Sequence, residues 1–209
     1  MKMKFFFGLL VMMAFAAAGC GALLPTATPP VYYQVQAPDA SSWGCASSKP
    51  EPLRVWALDG AAPYDRNELV LVTGDHALQL SSRYRWISTP GEMLGQAIVE
   101  TASQVRAFSV VNVPGSPGFL PELHLGGRIR EFNFQLSPGR AEAVLDVRII
   151  VWREANPKKL VFQKTYRATE TVVQETSPEE LTRAMNRVVA RWMQELMNDL
   201  CQASFDTAS

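Results

Sequence analysis

The segment from residue 141 to residue 171 constrains the fold most, because it has the pattern of two long strands joined by a turn. Apolar residues recur at every second position in residues 141–152 and again in residues 160–171, and Asn156-Pro157 lies between the two runs. An antiparallel hairpin of this length needs neighbouring strands and a cover for its apolar face. The segment therefore predicts a sheet protein in which helices pack on one side.

Two other segments predict the covering helices. Thr89-Pro90-Gly91-Glu92 combines a threonine cap, a proline in the first turn and a glutamate three residues after the cap. Ser177-Pro178-Glu179-Glu180 repeats this order, and apolar residues recur at helical spacing after each cap. Further strands are predicted at residues 31–38, 53–58, 68–75, 76–82, 108–113 and 124–136. The predicted fold class is α+β, a largely antiparallel sheet with two amphipathic helices packed mainly on one face.

The amino terminus predicts an exported and lipid-anchored protein. Lys2 and Lys4 precede an apolar run and then small residues, which is the order of a secretory signal peptide. Ala17-Ala18-Gly19-Cys20 resembles the lipobox of bacterial lipoproteins, with Ala17 where leucine is usual. The resemblance implies that residues 1–19 are removed and that Cys20 carries acyl chains, which hold a protein on a membrane without spanning it. The alternative is an ordinary signal peptide with an incidental cysteine.

The mature chain is predicted to consist of a tether, one domain and a short tail. Residues 20–30 hold the lipidated cysteine and a proline-rich stretch that can reach about 30 Å from the lipid. Residues 31–201 are expected to form a single periplasmic domain, and residues 202–209 a C-terminal tail. Gly21 stands where an aspartate commonly retains lipoproteins in the inner membrane, so the outer membrane is favoured over the inner.

The charge balance argues against two classes of partner. The chain has 20 lysines and arginines and 20 aspartates and glutamates, and the loss of Lys2 and Lys4 leaves 18 basic residues against 20 acidic ones. A nearly neutral protein lacks the basic surface typical of nucleic-acid binding or of a polybasic membrane contact.

Two cysteines remain after Cys20 is assigned to the anchor. Cys45 precedes the first core strand and Cys201 ends the last predicted helix, in a compartment that oxidises thiols. We therefore predict a disulfide that ties the start of the domain to its end. For so long a loop, the chain-entropy model gives a stabilisation by the disulfide of roughly 4 to 5 kcal/mol, and the gain is commonly less in practice.

The sequence carries no recognisable catalytic, cofactor or metal motif. The histidines, His76 and His124, have no partners at metal-ligand spacing. A nucleophile elbow, a phosphate-binding loop and a dinucleotide fingerprint are all missing. Glu131, Asp146 and Glu170 could meet across strands as acid and base, but such carboxylates are more often a solvated face. We expect neither an enzyme nor a bound cofactor.

With these pieces in place, the chain resembles the ABC-type transport auxiliary lipoprotein family. The resemblance covers nearly the whole mature chain and rests on short motifs in a fixed order. After the lipidated cysteine these are Val31-Tyr32-Tyr33, the segment beginning Tyr64-Asp65-Arg66, Tyr84-Arg85-Trp86, Pro90, Arg130-Glu131-Phe132 and a long closing helix. The serine-rich segment around Cys45 and the pair of Cys45 and Cys201 depart from that pattern.

The resemblance implies a non-catalytic periplasmic domain that works with an MCE (mammalian cell entry) domain protein and with an inner-membrane permease and ATPase. Such systems move phospholipids or other hydrophobic molecules between membranes, and the auxiliary protein would anchor one end of the path. The sequence also leaves open whether the protein forms a homo-oligomer. A second hypothesis is a structural or assembly lipoprotein of the outer membrane that binds a barrel protein or a polysaccharide. Neighbouring genes would distinguish the two.

A docking surface is predicted on the uncovered side of the sheet. Ile150, Trp152, Phe162 and Tyr166 are expected to form one apolar patch there, because aromatic residues are enriched at the cores of interfaces. The alternative is that flanking loops or the tether cover these side chains.

Residues 81–86 are open to two interpretations. A period of two places Arg83 and Arg85 on the side opposite Tyr84 and Trp86. We interpret the segment as a structural corner in which Trp86 packs under the following helix. The alternative is a ligand clamp.

Overall fold

A computed structural model describes residues 28–46, 48–74, 77–117, 120–173 and 177–205. The predicted signal peptide, Cys20 and most of the predicted tether lie outside these residues. His76 and residues 206–209 of the predicted tail lie outside them as well.

Nine strands and two helices form within the described residues. They are β1 (Val31–Tyr33), β2 (Leu53–Val55), β3 (Asp59–Gly60), β4 (Glu68–Thr73), β5 (Ala77–Trp86), α1 (Pro90–Gln104), β6 (Val111–Asn112), β7 (Leu123–Ser137), β8 (Arg140–Arg153), β9 (Lys159–Val173) and α2 (Pro178–Gln202). Every predicted helix and strand therefore has a counterpart. The strands predicted at residues 31–38, 53–58 and 108–113 are shorter than expected.

The long strands make the sheet largely antiparallel, as predicted. β7, β8 and β9 pair antiparallel along nearly their whole lengths, and β4 forms the predicted hairpin with β5. On the other edge of β7, the strands β2, β3 and β4 pair with it one after another in parallel. β1 and β6 add parallel pairings to β5 and β2. These parallel pairings were not predicted, because strands of two or three residues show no periodicity and the periodicity of a longer strand such as β4 does not indicate its distant partner.

α1 begins at the predicted cap. The Thr89 hydroxyl accepts a hydrogen bond from the Glu92 amide at 3.4 Å, and the Glu92 carboxylate accepts one from the Thr89 amide at 3.1 Å. Gly91 brings this first turn against the backbone at Leu58, whose amide donates to the Gly91 carbonyl oxygen at 3.1 Å. A Cβ atom at residue 91 would lie only 1.9 Å from the Leu58 carbonyl oxygen. A side chain there would push the helix start away from the sheet.

The sheet has a helix face and an open face, as the sequence pattern predicts. On the helix face β8 contributes five side chains with no solvent exposure, namely Ala143, Leu145, Val147, Ile149 and Val151. α2 covers β8 and β9, and the hydroxyl of Tyr166 in β9 donates to Asp199 of α2 at 2.7 Å. The open face instead carries the exposed side chains of Arg148, Gln163 and Thr165. Burial of a continuous apolar layer under the helices is the main stabilising term of such a fold.

Candidate functional site

The structure divides the predicted docking patch between the two faces, so its prediction as one surface was wrong. Register partners in an antiparallel pair lie on the same face, and Tyr166 pairs with Val147 while Phe162 pairs with Val151. Phe162 and Tyr166 therefore belong to the helix face, where Tyr166 is 2% exposed. Ile150 and Trp152 lie on the open face. The error came from assuming that even-numbered residues of β8 and β9 share a face, which only the hairpin register decides.

The family-like motif after β3 has a packing role in the structure. Tyr64 covers part of the open face, and its hydroxyl accepts a hydrogen bond from the buried Asn133 amide at 2.9 Å. Burial raises the pKa of Tyr64 above its usual value. Asp65 and Arg66 form an exposed ion pair at 3.6 Å, a type that contributes little stability.

Residues 81–86 form a structural corner, as interpreted from the sequence. Trp86 is 1% exposed and packs on the helix face, with its ring centroid 5.2 Å from that of Phe132. Arg85 lies 3.7 Å from Glu68 in the neighbouring strand. Pro90 is buried in the first turn of α1. The Trp86 ring of the supposed clamp is thus enclosed in the core and has no surface to offer a ligand.

A groove on the open face is the strongest candidate for a functional site. Its volume is about 570 Å³, within the range of small-molecule sites. It is lined by Trp56, Ala57, Asp59, Gly126, Gly127, Arg128, Arg148, Ile150, Trp152 and Lys158. Of these, only Ile150 and Trp152 were predicted as site residues. The others come from β3, from β7, from Arg148 of β8 and from loops, and no local sequence pattern signals that these parts approach one another.

Three aromatic rings form a row beside this groove. His124 lies between Trp56 and Trp152, with ring centroids 6.2 Å and 5.4 Å away and interplanar angles of 29° and 14°. Gly126 permits this arrangement, because a Cβ atom there would lie 3.2 Å from the Trp152 ring. The indole of Trp152 therefore lies close against the sheet and gives the groove a flat apolar wall.

The hydrogen bonding of His124 defines its protonation state. The Trp56 indole N–H, which can only donate, approaches His124 Nδ1 at 3.1 Å. Nδ1 must therefore accept, which leaves the proton of the neutral ring on Nε2, 3.7 Å from Glu154 Oε2. Burial lowers the pKa of His124, although Glu154 opposes the shift. The lowered pKa favours the neutral form of the ring.

We expect this lowered pKa to make folding sensitive to acid. His124 binds a proton near pH 6.5 in the unfolded chain and only at lower pH in the folded chain. The stabilisation from the buried neutral ring is therefore complete above about pH 6.5, and it is lost as the pH falls toward the folded pKa of His124. NMR titration of a His76→Gln chain, in which His124 is the remaining histidine, should give a midpoint below that of a model histidine. Urea unfolding measured from pH 7.5 to 5 should show that the free energy of unfolding falls more steeply in this chain than in a His124→Phe chain. A normal or raised midpoint would contradict the assignment.

The carboxylates considered for acid–base chemistry are held in ion pairs. Arg167 contacts Glu131 at 2.5 Å and Asp146 at 3.2 Å. Glu170 accepts hydrogen bonds from Arg191 and Arg187, which lower its pKa below the usual range. In the described part of the chain, no three His, Cys, Asp or Glu side chains converge in a way that could hold a metal ion. The structure brings Glu131 and Asp146 together, but as partners of one arginine.

The predicted pairing of Cys45 with Cys201 is present. The two residues are joined by a disulfide with their Cα atoms 5.5 Å apart. The covalent bond links the loop before β2 to the last turn of α2. Among the described residues, neither helix has the length and apolar character needed to cross a lipid bilayer.

Comparison with known proteins gives one family and several similar folds. The family described as ABC-type transport auxiliary lipoprotein component matches residues 33–197. A crystal structure of a Xanthomonas campestris protein described by the family model DUF330 is similar at a TM-score of 0.63 and 14% identity, covering 83% of this chain and 94% of that one. An uncharacterized protein is similar at a TM-score of 0.60 and 14% identity, covering 83% and 99%. No curated protein matches the sequence significantly.

Proposed function

The chain belongs to the family of ABC-type transport auxiliary lipoprotein components, and on that premise we propose that it is a non-catalytic partner of an MCE-domain lipid transport system. The observation that carries this proposal is the family match, which extends over nearly the whole described domain. The solved structures that resemble the chain at TM-scores of 0.63 and 0.60 support the fold alone, since their identity is only 14%. In the proposed role, acyl chains on Cys20 hold the protein on the periplasmic side of a membrane, preferentially the outer one. The domain then docks to the transport complex.

The test is capture of the partner complex under defined conditions. The tagged full chain is crosslinked in its own cells, purified from the envelope and examined for bound proteins. The proposal expects an MCE-domain protein together with the permease and ATPase. Capture of an outer-membrane barrel protein without these components would instead support an assembly lipoprotein. Loss of labelled-lipid movement between membranes on deletion of the gene would support the transport role.

The open face is the proposed docking surface. Ile150 and Trp152 are the two residues of the predicted patch that lie there, beside Trp56, which is 40% exposed. Tryptophan and arginine are enriched among residues that contribute most to protein interfaces, and Arg128 and Arg148 lie in the same groove. On the opposite face, α2 covers the described residues of β8 and β9.

We expect Trp152→Glu to weaken capture of the MCE-domain protein by at least tenfold. A carboxylate at this position would have to lose its hydration on docking, and leaving a charge buried at an interface is costly. Quantitative pull-down from equal amounts of folded chain measures the effect. Leu78→Glu is the matched control, because Leu78 is 52% exposed on β5, outside the groove. Unchanged capture by a Trp152→Glu chain with a normal unfolding curve would rule out docking through this face.

A further inference from the structure

Two arginines oppose each other directly in the groove. Arg128 of β7 and Arg148 of β8 are register partners in the antiparallel pair, so their Cβ atoms are about 4.5–5.5 Å apart on the same face. Like charges in this arrangement destabilise a sheet. The pairing therefore costs stability, and the fold alone gives no reason for it.

The surrounding side chains neutralise this positive charge only in part. Arg148 donates a hydrogen bond to Gln163, whose amide is uncharged. The Arg128 side chain is exposed and, within the described part of the chain, makes no hydrogen bond or ion pair. Asp59 is the register partner of Arg128 on β3 and lines the groove without forming an ion pair there. Lys158 adds a third cation and lies 3.4 Å from Glu154.

An apolar surface adjoins the two guanidinium groups. Ile150 and the indole rings of Trp56 and Trp152 line the same groove as Arg128 and Arg148. An uncharged ligand would leave the opposed arginines uncompensated, and a small hydrophilic anion would leave the indoles in water. A ligand that uses both features has an anionic group at one end and an apolar chain at the other.

We propose that the open-face groove binds an amphiphile with an anionic phosphate or carboxylate headgroup. The headgroup lies between Arg128 and Arg148, because guanidinium groups bind both kinds of oxyanion with two parallel hydrogen bonds. The apolar chain lies over Trp56 and Trp152. The anion also offsets the repulsion between the two arginines, so the ligand stabilises the strand pair. The binding site itself does not depend on the proposed function. Only the further step of identifying the amphiphile as cargo of the transport system rests on it.

The experiment measures binding of dodecyl phosphate to the full chain by isothermal titration calorimetry. The protein is purified in dodecyl maltoside, so an uncharged amphiphile with the same alkyl chain is always present as a competitor. Inorganic phosphate tests the headgroup alone, and dodecyltrimethylammonium tests the chain with the opposite charge. The variants are Arg128→Gln and Arg148→Gln. Arg183→Gln is the matched control, because the Arg183 side chain is 66% exposed and paired with Glu180 at the start of α2.

We expect saturable binding of dodecyl phosphate that each groove variant weakens by about tenfold to a hundredfold and that Arg183→Gln leaves unchanged. Without ligand, the groove variants should unfold at or above the wild-type midpoint, because each removes half of a like-charge pair. Equal binding by the wild type and the folded groove variants would overturn the proposal. Equal or tighter binding of inorganic phosphate would instead indicate a site for free phosphate, and equal binding of dodecyltrimethylammonium would exclude charge recognition.

Failure of this inference differs from failure of the proposed function. Binding is measured on the isolated protein, whereas the partnership is measured by capture of the MCE-domain protein. A chain that captures this partner but does not bind dodecyl phosphate has an open face used only for protein docking. A chain that binds dodecyl phosphate but captures no transport component has an amphiphile site that serves another process.

Discussion

Replacing Trp86 with alanine is expected to lower the free energy of unfolding by about 3 to 5 kcal/mol. The indole is 1% exposed and is enclosed on the helix face by Phe132 and Phe134, with ring centroids at 5.2 Å and 6.3 Å. Its removal costs both the burial of a large apolar surface and the contacts that line the resulting cavity. Urea unfolding followed by far-ultraviolet circular dichroism measures the change. The corresponding fall in melting temperature is about 6 to 20 °C for a domain of this size.

Ile87→Ala is the matched control for Trp86→Ala. Ile87 is the next residue in the chain but is 59% exposed, so its truncation should change the free energy of unfolding by less than about 0.5 kcal/mol. A large loss for Trp86 with almost none for Ile87 would establish the corner as structural. The opposite finding, an unchanged melting curve for Trp86→Ala together with weaker partner capture, would support the clamp interpretation.

The parts of this fold that sequence predicts well are those with a strong local signal. Both helices begin at the predicted caps, because the Thr89 and Ser177 hydroxyls satisfy amide groups of the first turn. The long strands β8 and β9 appear because alternation over more than ten residues can be read without knowledge of their neighbours. The cysteine pairing was also predictable, since the sequence pattern assigns the other cysteine, Cys20, to the predicted lipid anchor.

The parts that sequence does not predict depend on register and on distant contacts. A shift of one residue in the pairing of β9 with β8 would decide whether Phe162 faces α2 or the open side. The turn after β8, together with a bulge between Val151 and Trp152, sets this register. The groove combines Trp56 with β7, β8 and the turn that follows β8. No periodicity connects a tryptophan after β2 with a glycine in β7 about seventy residues later. Only the three-dimensional pairing shows that Arg128 and Arg148 are opposed.

The second large effect is expected on loss of the disulfide between Cys45 and Cys201. The two residues are 156 positions apart, and closing a loop of that length removes conformational entropy worth about 5 kcal/mol from the unfolded chain in the chain-entropy model, which is an upper estimate in practice. A Cys45→Ala and Cys201→Ala double variant should therefore unfold at a clearly lower urea concentration. Reductant should shift the wild-type midpoint in the same direction and leave the double variant unaffected. Modification of Cys45 and Cys201 in denatured, unreduced protein would contradict the bond.

Noncovalent contacts near the disulfide determine whether its loss affects mainly the folded or the unfolded state. Phe205, just after α2, stacks on Phe108 at 5.8 Å, and its carbonyl oxygen accepts a hydrogen bond from Arg153 at 3.1 Å. These contacts keep the end of α2 against the sheet even without the covalent bond, so the folded structure around residue 201 should persist. The effect should then arise mainly in the unfolded state, with a lower midpoint but similar hydrogen-exchange protection of α2 under native conditions. Selective loss of protection in the last turns of α2 would show instead that the bond holds the folded helix end in place.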